Sequence, residues 1–132
     1  MAPPPRREER AAPVAAGPVI IASRSNRDVL WRIAGSEIER SEDGGKTWVS
    51  RPAGTAAVLT AASSPAPENC WVVGRGGTIL RTTDGEAWEK IASPTDEDLV
   101  QVTAYGPFEA TVGSASGRRF ATHDGGKTWS ER

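Results

Sequence analysis

Three aspartates, each followed by a glycine and then by a tryptophan, are the residues of this 132-residue chain whose spacing could support chemistry. Asp43, Asp84 and Asp124 lie 41 and 40 residues apart. Carboxylates can ligate metal ions or act as general acids and bases. Asp-Gly is also a turn dipeptide, in which the carboxylate accepts hydrogen bonds from nearby backbone N–H groups. A spacing near forty residues favours the turn, because it is typical of repeat proteins.

Each of the three motifs combines a hydroxyl residue, the aspartate, a glycine and an aromatic residue. The first copy comprises Ser41, Asp43, Gly45, Thr47 and Trp48, the second Thr82, Asp84, Gly85 and Trp88, and the third Thr122, Asp124, Gly126, Thr128 and Trp129. The hydroxyl two residues before the aspartate can join the same hydrogen-bond network. The second copy is one residue shorter and has Ala87 where the others have Thr, so we expect a tighter and less well-bonded turn there.

Short strand-like segments surround every motif. Two precede each motif closely, at 28–35 and 37–40, 70–74 and 78–81, and 108–113 and 118–121, and a further one begins each repeat, at 18–23, about 56–62, and 98–104. Apolar residues alternate along them, which is typical of strands with one buried face. Aligning Ala34, Gly74 and Gly113 places Trp31 at the same position as Trp71 and Ala110.

Four short antiparallel strands repeating about every forty residues predict the blade of a β-propeller. The fold class expected is therefore all-β, with three four-stranded antiparallel blades at about 18–52, 54–92 and 98–131. Closed propellers typically have about four to eight blades, so one chain would form an incomplete ring. Two chains could complete a six-bladed ring, the three sheets could form an open fan, or the chain could be part of a larger assembly.

The three motifs resemble Asp-boxes, also called bacterial neuraminidase repeats, which occur in sialidases and other propellers. The run from Cys70 to Gly85 resembles the repeat of the photosystem II stability and assembly factor family. The run from Leu30 to Trp48 also resembles the C-terminal propeller-like region of bacterial anti-sigma-type proteins with an N-terminal zinc finger. The resemblance covers about residues 18–129 and implies that the Asp-boxes are structural.

The resemblance implies a non-enzymatic, protein-binding scaffold. We expect the outer regulatory or sensory domain of an anti-sigma-type system, and the alternative is an assembly or stability factor for a membrane complex such as a photosystem. A less favoured alternative is a fragment of a sialidase-like glycoside hydrolase. Such an enzyme needs a tyrosine nucleophile, and the single tyrosine, Tyr105, stands at the end of a strand, where it runs into a turn.

Five arginines are candidate partner-binding residues. Arg40 and Arg81 stand three residues before their aspartates, while Arg75, Arg118 and Arg119 lie in the strand connections of the second and third repeats. They could be ordinary solvated charges. They could equally form a basic rim that recognises a carboxylate-bearing peptide, since the arginine fork suits such groups.

Composition restricts the remaining possibilities. Sixteen basic residues against 17 acidic ones argue against a nucleic-acid-binding protein. The single cysteine, Cys70, excludes an internal disulfide and is expected to be buried. The lone histidine, His123, is expected in an exposed turn, so we expect no metal and no cofactor.

Residues 1–17 are rich in Pro, Ala, Arg and Glu and predict a disordered tail or linker, ahead of one propeller-like domain at 18–132. We expect no signal peptide in residues 1–17 and no stretch that could span a membrane. Localisation does not follow from the sequence, but the resemblance implies an extracytoplasmic position. The expected partner is another protein or a second copy of the chain.

Overall fold

A computed structural model describes residues 18–132, so the predicted tail at 1–17 lies outside the described residues. Three antiparallel sheets, each of four strands in chain order, account for this part of the chain. The first sheet contains β1 (Val19–Ala22), β2 (Leu30–Ala34), β3 (Glu37–Ser41) and β4 (Val49–Ser50). The second contains β5 (Leu59–Ala66), β6 (Asn69–Gly74), β7 (Ile79–Thr82) and β8 (Glu89–Lys90), and the third contains β9 (Leu99–Ala104), β10 (Ala110–Ser114), β11 (Arg119–Thr122) and β12 (Ser130–Glu131).

The predicted all-β array of three four-stranded blades is confirmed, and the described residues do not form a closed ring. The first strand of the second sheet is longer than expected and ends at Ala66 instead of Ala62. Its pairing with β6 is irregular after Ser63, so the extra residues form an uneven end of the hairpin.

The alignment of the third repeat on Gly113 is wrong by one residue. Strand pairing places Trp31 opposite Arg40 and Trp71 opposite Arg81, and the third sheet has Thr111 opposite Ala121 at this position. Ala110 instead faces Thr122, the hydroxyl residue of the third motif. Because successive side chains point to opposite faces of a strand, the shift moves every residue of β10 to the other face.

Two apolar cores lie between the sheets. Trp31, Ile33 and Ile38 of the first sheet pack against one face of the second, which contributes Cys70, Val72 and Leu80. The opposite face of the second sheet contributes Trp71, Val73 and Ile79, which pack against Ala110, Val112 and Phe120 of the third. The middle sheet is therefore covered on both sides, and each outer sheet is covered on one.

Cys70 lies in the first of these cores and is fully buried. Burial raises the pKa of its thiol far above the ordinary range. A thiol that stays protonated is a poor nucleophile, so Cys70 acts as a packing residue. Within residues 18–132, no helix has the length and apolarity needed to cross a membrane.

The observed register predicts how two substitutions at equivalent positions will differ. Trp71→Ala should lower the free energy of unfolding by about 3–5 kcal/mol, because a fully buried indole is lost from the core. Thr111→Ala, on the uncovered side of the third sheet, should change it by about 0.5 kcal/mol or less. Urea titration monitored by circular dichroism measures both, and equal losses would contradict the register.

Candidate functional site

The first Asp-box is a closed hydrogen-bond network around one carboxylate. Asp43 Oδ1 accepts from the Thr47 backbone N–H at 2.9 Å, and Asp43 Oδ2 accepts from the Thr47 hydroxyl at 2.6 Å. The Ser41 hydroxyl donates to Asp43 at 2.8 Å and accepts from the Gly45 N–H at 2.9 Å. Side chain and backbone thus hold the turn at both ends, and little carboxylate capacity is left for a ligand.

The third Asp-box repeats this geometry almost bond for bond. Asp124 accepts from the Thr128 N–H at 2.9 Å and from the Thr128 hydroxyl at 2.6 Å, while the Thr122 hydroxyl accepts from the Gly126 N–H at 2.9 Å. In the shorter second box, Asp84 accepts only from the backbone N–H groups of Glu86 and Ala87 and from the Thr82 hydroxyl. The second turn therefore lacks the bond to the aspartate Oδ2 that the Thr47 and Thr128 hydroxyls make in the other two.

The same bonds hold the carboxylates in their charged form. The hydroxyl and N–H of Thr47 lower the pKa of Asp43 to about 2, and those of Thr128 lower the pKa of Asp124 to about 2. Backbone N–H groups of Ala87 and Glu86 lower the pKa of Asp84. Such groups are poor general acids near neutral pH, and this supports a structural role for the boxes.

Arg40, one of the five arginines considered for partner binding, lies between the first and second sheets. Its guanidinium donates to the Pro67 carbonyl at 2.9 Å, pairs with Glu42, and lies 5.3 Å from the centre of the Trp31 ring. Only 6% of the residue is exposed. Trp31 itself donates from Nε1 to the Ser64 hydroxyl at 3.1 Å, so both side chains connect the two sheets.

Arg81 occupies the same position between the second and third sheets. Its guanidinium donates to the carbonyls of Pro107 at 2.8 Å and Gly125 at 3.3 Å, and lies 5.5 Å from the centre of the Trp71 ring. Trp71 donates to the Gly106 carbonyl at 3.0 Å. We call each Trp–Arg pair, Trp31 with Arg40 and Trp71 with Arg81, an intersheet clamp.

The other three candidate arginines lie in strand connections or at a strand end. Arg118 pairs with Glu97 at 2.9 Å and with Glu131 at 3.0 Å, so its charge is matched. Arg75 begins the short 3-10 turn Arg75–Gly77 and is exposed. Arg119 begins β11 and is exposed too. Within residues 18–132, neither the Arg75 nor the Arg119 guanidinium makes a hydrogen bond or an ion pair.

Arg119 borders a recess of about 520 Å³ on the uncovered side of the third sheet. Thr111 and Ala121 line it where the other two sheets have a clamp. Tyr105, 61% exposed, stands at its edge. His123 and Glu109 are paired there at 2.9 Å, and Arg132 is a further lining residue. We call this feature the third-sheet recess.

The third-sheet recess can accommodate part of a polypeptide, because it combines an aromatic side chain with an unpaired guanidinium. Among the residues that the structure describes, no group of three His, Cys, Asp or Glu side chains is placed to hold a metal ion. The sequence predicted Arg119 as a candidate but missed Tyr105, Glu109 and His123 as its neighbours. The one-residue error in the alignment concealed that the clamp residues are absent there.

A sequence model of the family described as Photosynthesis system II assembly factor YCF48 matches residues 24–132. The photosystem II assembly lipoprotein Ycf48 of Synechocystis sp. is 33% identical over 66 residues, which are 46% of this chain and 19% of that protein. The comparisons support the assembly-factor alternative better than the anti-sigma hypothesis.

Two solved structures share the fold. YCF48 from Cyanidioschyzon merolae superposes with a TM-score of 0.76 at 26% identity, over 92% of this chain and 41% of that chain. A YCF48 structure bound to D1 peptide superposes with a TM-score of 0.71 at 22% identity, over 91% of this chain and 44% of that chain. The chain thus spans less than half the length of each of these relatives.

The Asp-boxes predict a loss of stability in acid. A carboxylate whose pKa is about 2 in the folded protein and 3.8 ordinarily stabilises the fold above pH 4, and this contribution disappears as pH falls through that interval. The melting temperature should therefore fall from pH 5 to pH 2. The fall should be smaller in the Asp43→Asn, Asp124→Asn double variant, measured by circular dichroism. Parallel curves for the two proteins would contradict this assignment.

The clamps predict that two arginines of equal charge differ in their effect on stability. Arg40→Met should lower the free energy of unfolding by about 1–3 kcal/mol, because the Pro67 carbonyl loses its donor. Arg75→Met, at an exposed position, should change it by about 0.5 kcal/mol or less. Chemical denaturation of both variants tests this, and an Arg40→Met protein as stable as wild type would show that the clamp is dispensable.

Proposed function

Because this chain belongs to the Photosynthesis system II assembly factor YCF48 family, we propose that it is a non-enzymatic, protein-binding scaffold that acts as an assembly factor for a membrane protein complex. Family membership supports the class of function, and the YCF48 structure with a bound D1 peptide supports a polypeptide client. The client of this chain would be an extended segment of a membrane subunit of the D1 type.

The structure offers a candidate place for this client, the third-sheet recess. The observation that carries the proposal is the different use of the five arginines. Arg40 and Arg81 are committed to the clamps, and Arg118 is committed to two glutamates. Arg119 is exposed beside the recess and makes no side-chain hydrogen bond or ion pair within residues 18–132.

Arg119 would bind a carboxylate of the client. Tyr105 would pack against an apolar side chain of the client, as exposed tyrosines at protein interfaces do. The turn that follows β11 is held by the Asp-box network of Asp124, and this supports a recess that is largely preformed. A preformed site spends less binding free energy on ordering the protein.

Binding of a fluorescently labelled D1 peptide tests the proposed function. The wild-type chain should raise the fluorescence polarisation of the peptide in a saturable way, and Arg119→Ala should weaken binding roughly tenfold or more, as expected for loss of a charge-assisted hydrogen bond. Arg27→Ala is the matched control, because Arg27 is exposed in the turn between β1 and β2 and does not line the recess.

Three outcomes would count against the proposal in different ways. Equal weakening by Arg119→Ala and Arg27→Ala would indicate attraction by overall charge and not by the recess. Unchanged binding in Arg119→Ala would place the client elsewhere on the array. Absence of binding by the wild-type chain would exclude a D1-type client.

A further inference from the structure

The residues at the sheet-stacking positions differ between the inner and outer faces of the array. Each sheet has a preceding face, directed toward the sheet before it in the chain, and a following face, directed toward the sheet after it. The following faces of the first and second sheets and the preceding faces of the second and third sheets are covered. Within residues 18–132, nothing covers the preceding face of the first sheet or the following face of the third.

The following faces share one set of positions, defined by strand pairing. The first sheet has Trp31, Ile33, Ile38 and Arg40, the second has Trp71, Val73, Ile79 and Arg81, and the third has Thr111, Gly113, Arg119 and Ala121. The third sheet has thus lost both clamp residues and both branched apolar residues. Gln101 lies over Gly113, with its side chain about where an apolar neighbour would pack.

The preceding faces show the same change at the other end of the array. The second sheet has Val72 opposite Leu80, and the third has Val112 opposite Phe120, all buried. The equivalent pair in the first sheet is Arg32 opposite Glu39. These two side chains form an ion pair, with Arg32 Nη2 and Glu39 Oε1 2.6 Å apart.

Arg32 also replaces a contact that the second and third sheets obtain from the sheet before them. The Asp-box tryptophan Trp88 packs edge-on against Trp31 of the preceding sheet at 5.6 Å, and Trp129 packs against Trp71 at 6.4 Å. Trp48 has no preceding sheet within the described residues, and the Arg32 guanidinium lies 4.1 Å from the centre of its ring. A cation–π contact therefore covers the indole within its own sheet.

We propose that the two uncovered faces are end caps, which prevent a second copy of this chain from stacking on the array. A copy stacked on the first sheet would bury the Arg32–Glu39 pair, and a copy stacked on the third would bury Arg119. Desolvation of such charges is unfavourable unless new partners replace water. Terminal units of repeat arrays carry polar outer faces for this reason.

The end caps argue against the six-bladed ring of two chains, which was one of the three arrangements compatible with the sequence. A ring made by two copies would require both uncovered faces to act as stacking faces. Neither face supplies a clamp or the apolar pairs found inside the array. Two copies of this chain therefore do not complete a ring, and the two outer faces of residues 18–132 stay available to a different partner.

Removal of the caps tests the inference. The cap-removal variant combines Arg32→Val and Glu39→Leu with Thr111→Trp, Arg119→Ile and Ala121→Arg. At these five positions it installs the residues of the second sheet, and Gly113 is left unchanged. Light scattering should give the 14.0 kDa monomer for wild type at every concentration and a mass that rises with concentration for the variant. Cooperative thermal unfolding checks that the variant folds.

Two half-variants serve as matched controls, one with only the two changes in the first sheet and one with only the three in the third. Each should remain monomeric, because head-to-tail stacking needs both faces. A wild-type dimer would overturn the proposal, and this measurement does not depend on the folding of any variant. A folded cap-removal variant that stays monomeric would overturn it too, as would a half-variant that associates as strongly as the full variant.

Discussion

The contact between successive sheets is the constraint on which the rest of the structure depends. A four-stranded antiparallel sheet of this size has two faces and cannot bury either alone, so each sheet needs a neighbour. Here the neighbour is held by apolar packing and by a Trp–Arg clamp. Three of the clamp side chains, Arg40, Trp71 and Arg81, donate to carbonyl oxygens in the next sheet's turns, and Trp31 donates to the Ser64 hydroxyl of β5. The clamp fixes the position of the next sheet's turn, because hydrogen bonds are directional. Apolar contact alone would allow one sheet to shift along the other.

The Asp-boxes matter because they shape the surface that the clamp meets. A Cβ atom at Gly85 would lie 3.3 Å from the Arg40 guanidinium, and one at Gly125 would lie 2.6 Å from Arg81 Nη1. Both glycines have positive φ, which the box network holds in place. At Gly126 an added Cβ would lie 2.2 Å from the Ile91 side chain of the preceding sheet. The same glycines therefore form the Asp-box turns and allow the neighbouring sheet to pack closely against them.

The sequence predicted the repeat, the strand count and the turn chemistry, because each depends on residues close together in the chain. For the third sheet, the sequence predicted the wrong face for the side chains of β10. The repeats had been aligned by matching Gly113 to Gly74, and the structure matches Ser114 to Gly74. Counting ten residues back from Asp84 and Asp124 reaches Gly74 and Ser114, and this would have placed Thr111 beside Trp71. The clamps were beyond sequence reasoning, since Arg40 meets Pro67 across 27 residues and only the packing of sheets brings them together.

An arginine that supports the fold cannot serve a client equally well. Arg40 is 6% exposed, and a carboxylate from a partner could reach it only by displacing the Pro67 carbonyl and separating the first two sheets. Repetition of a charged residue at equivalent positions is thus a sign of stacking, since every interface between sheets needs the same contact. The repetition fails at Ala121 in the third sheet, which stands where the other two sheets have the clamp arginine. A binding surface in such an array is therefore to be sought among residues that break the repeat.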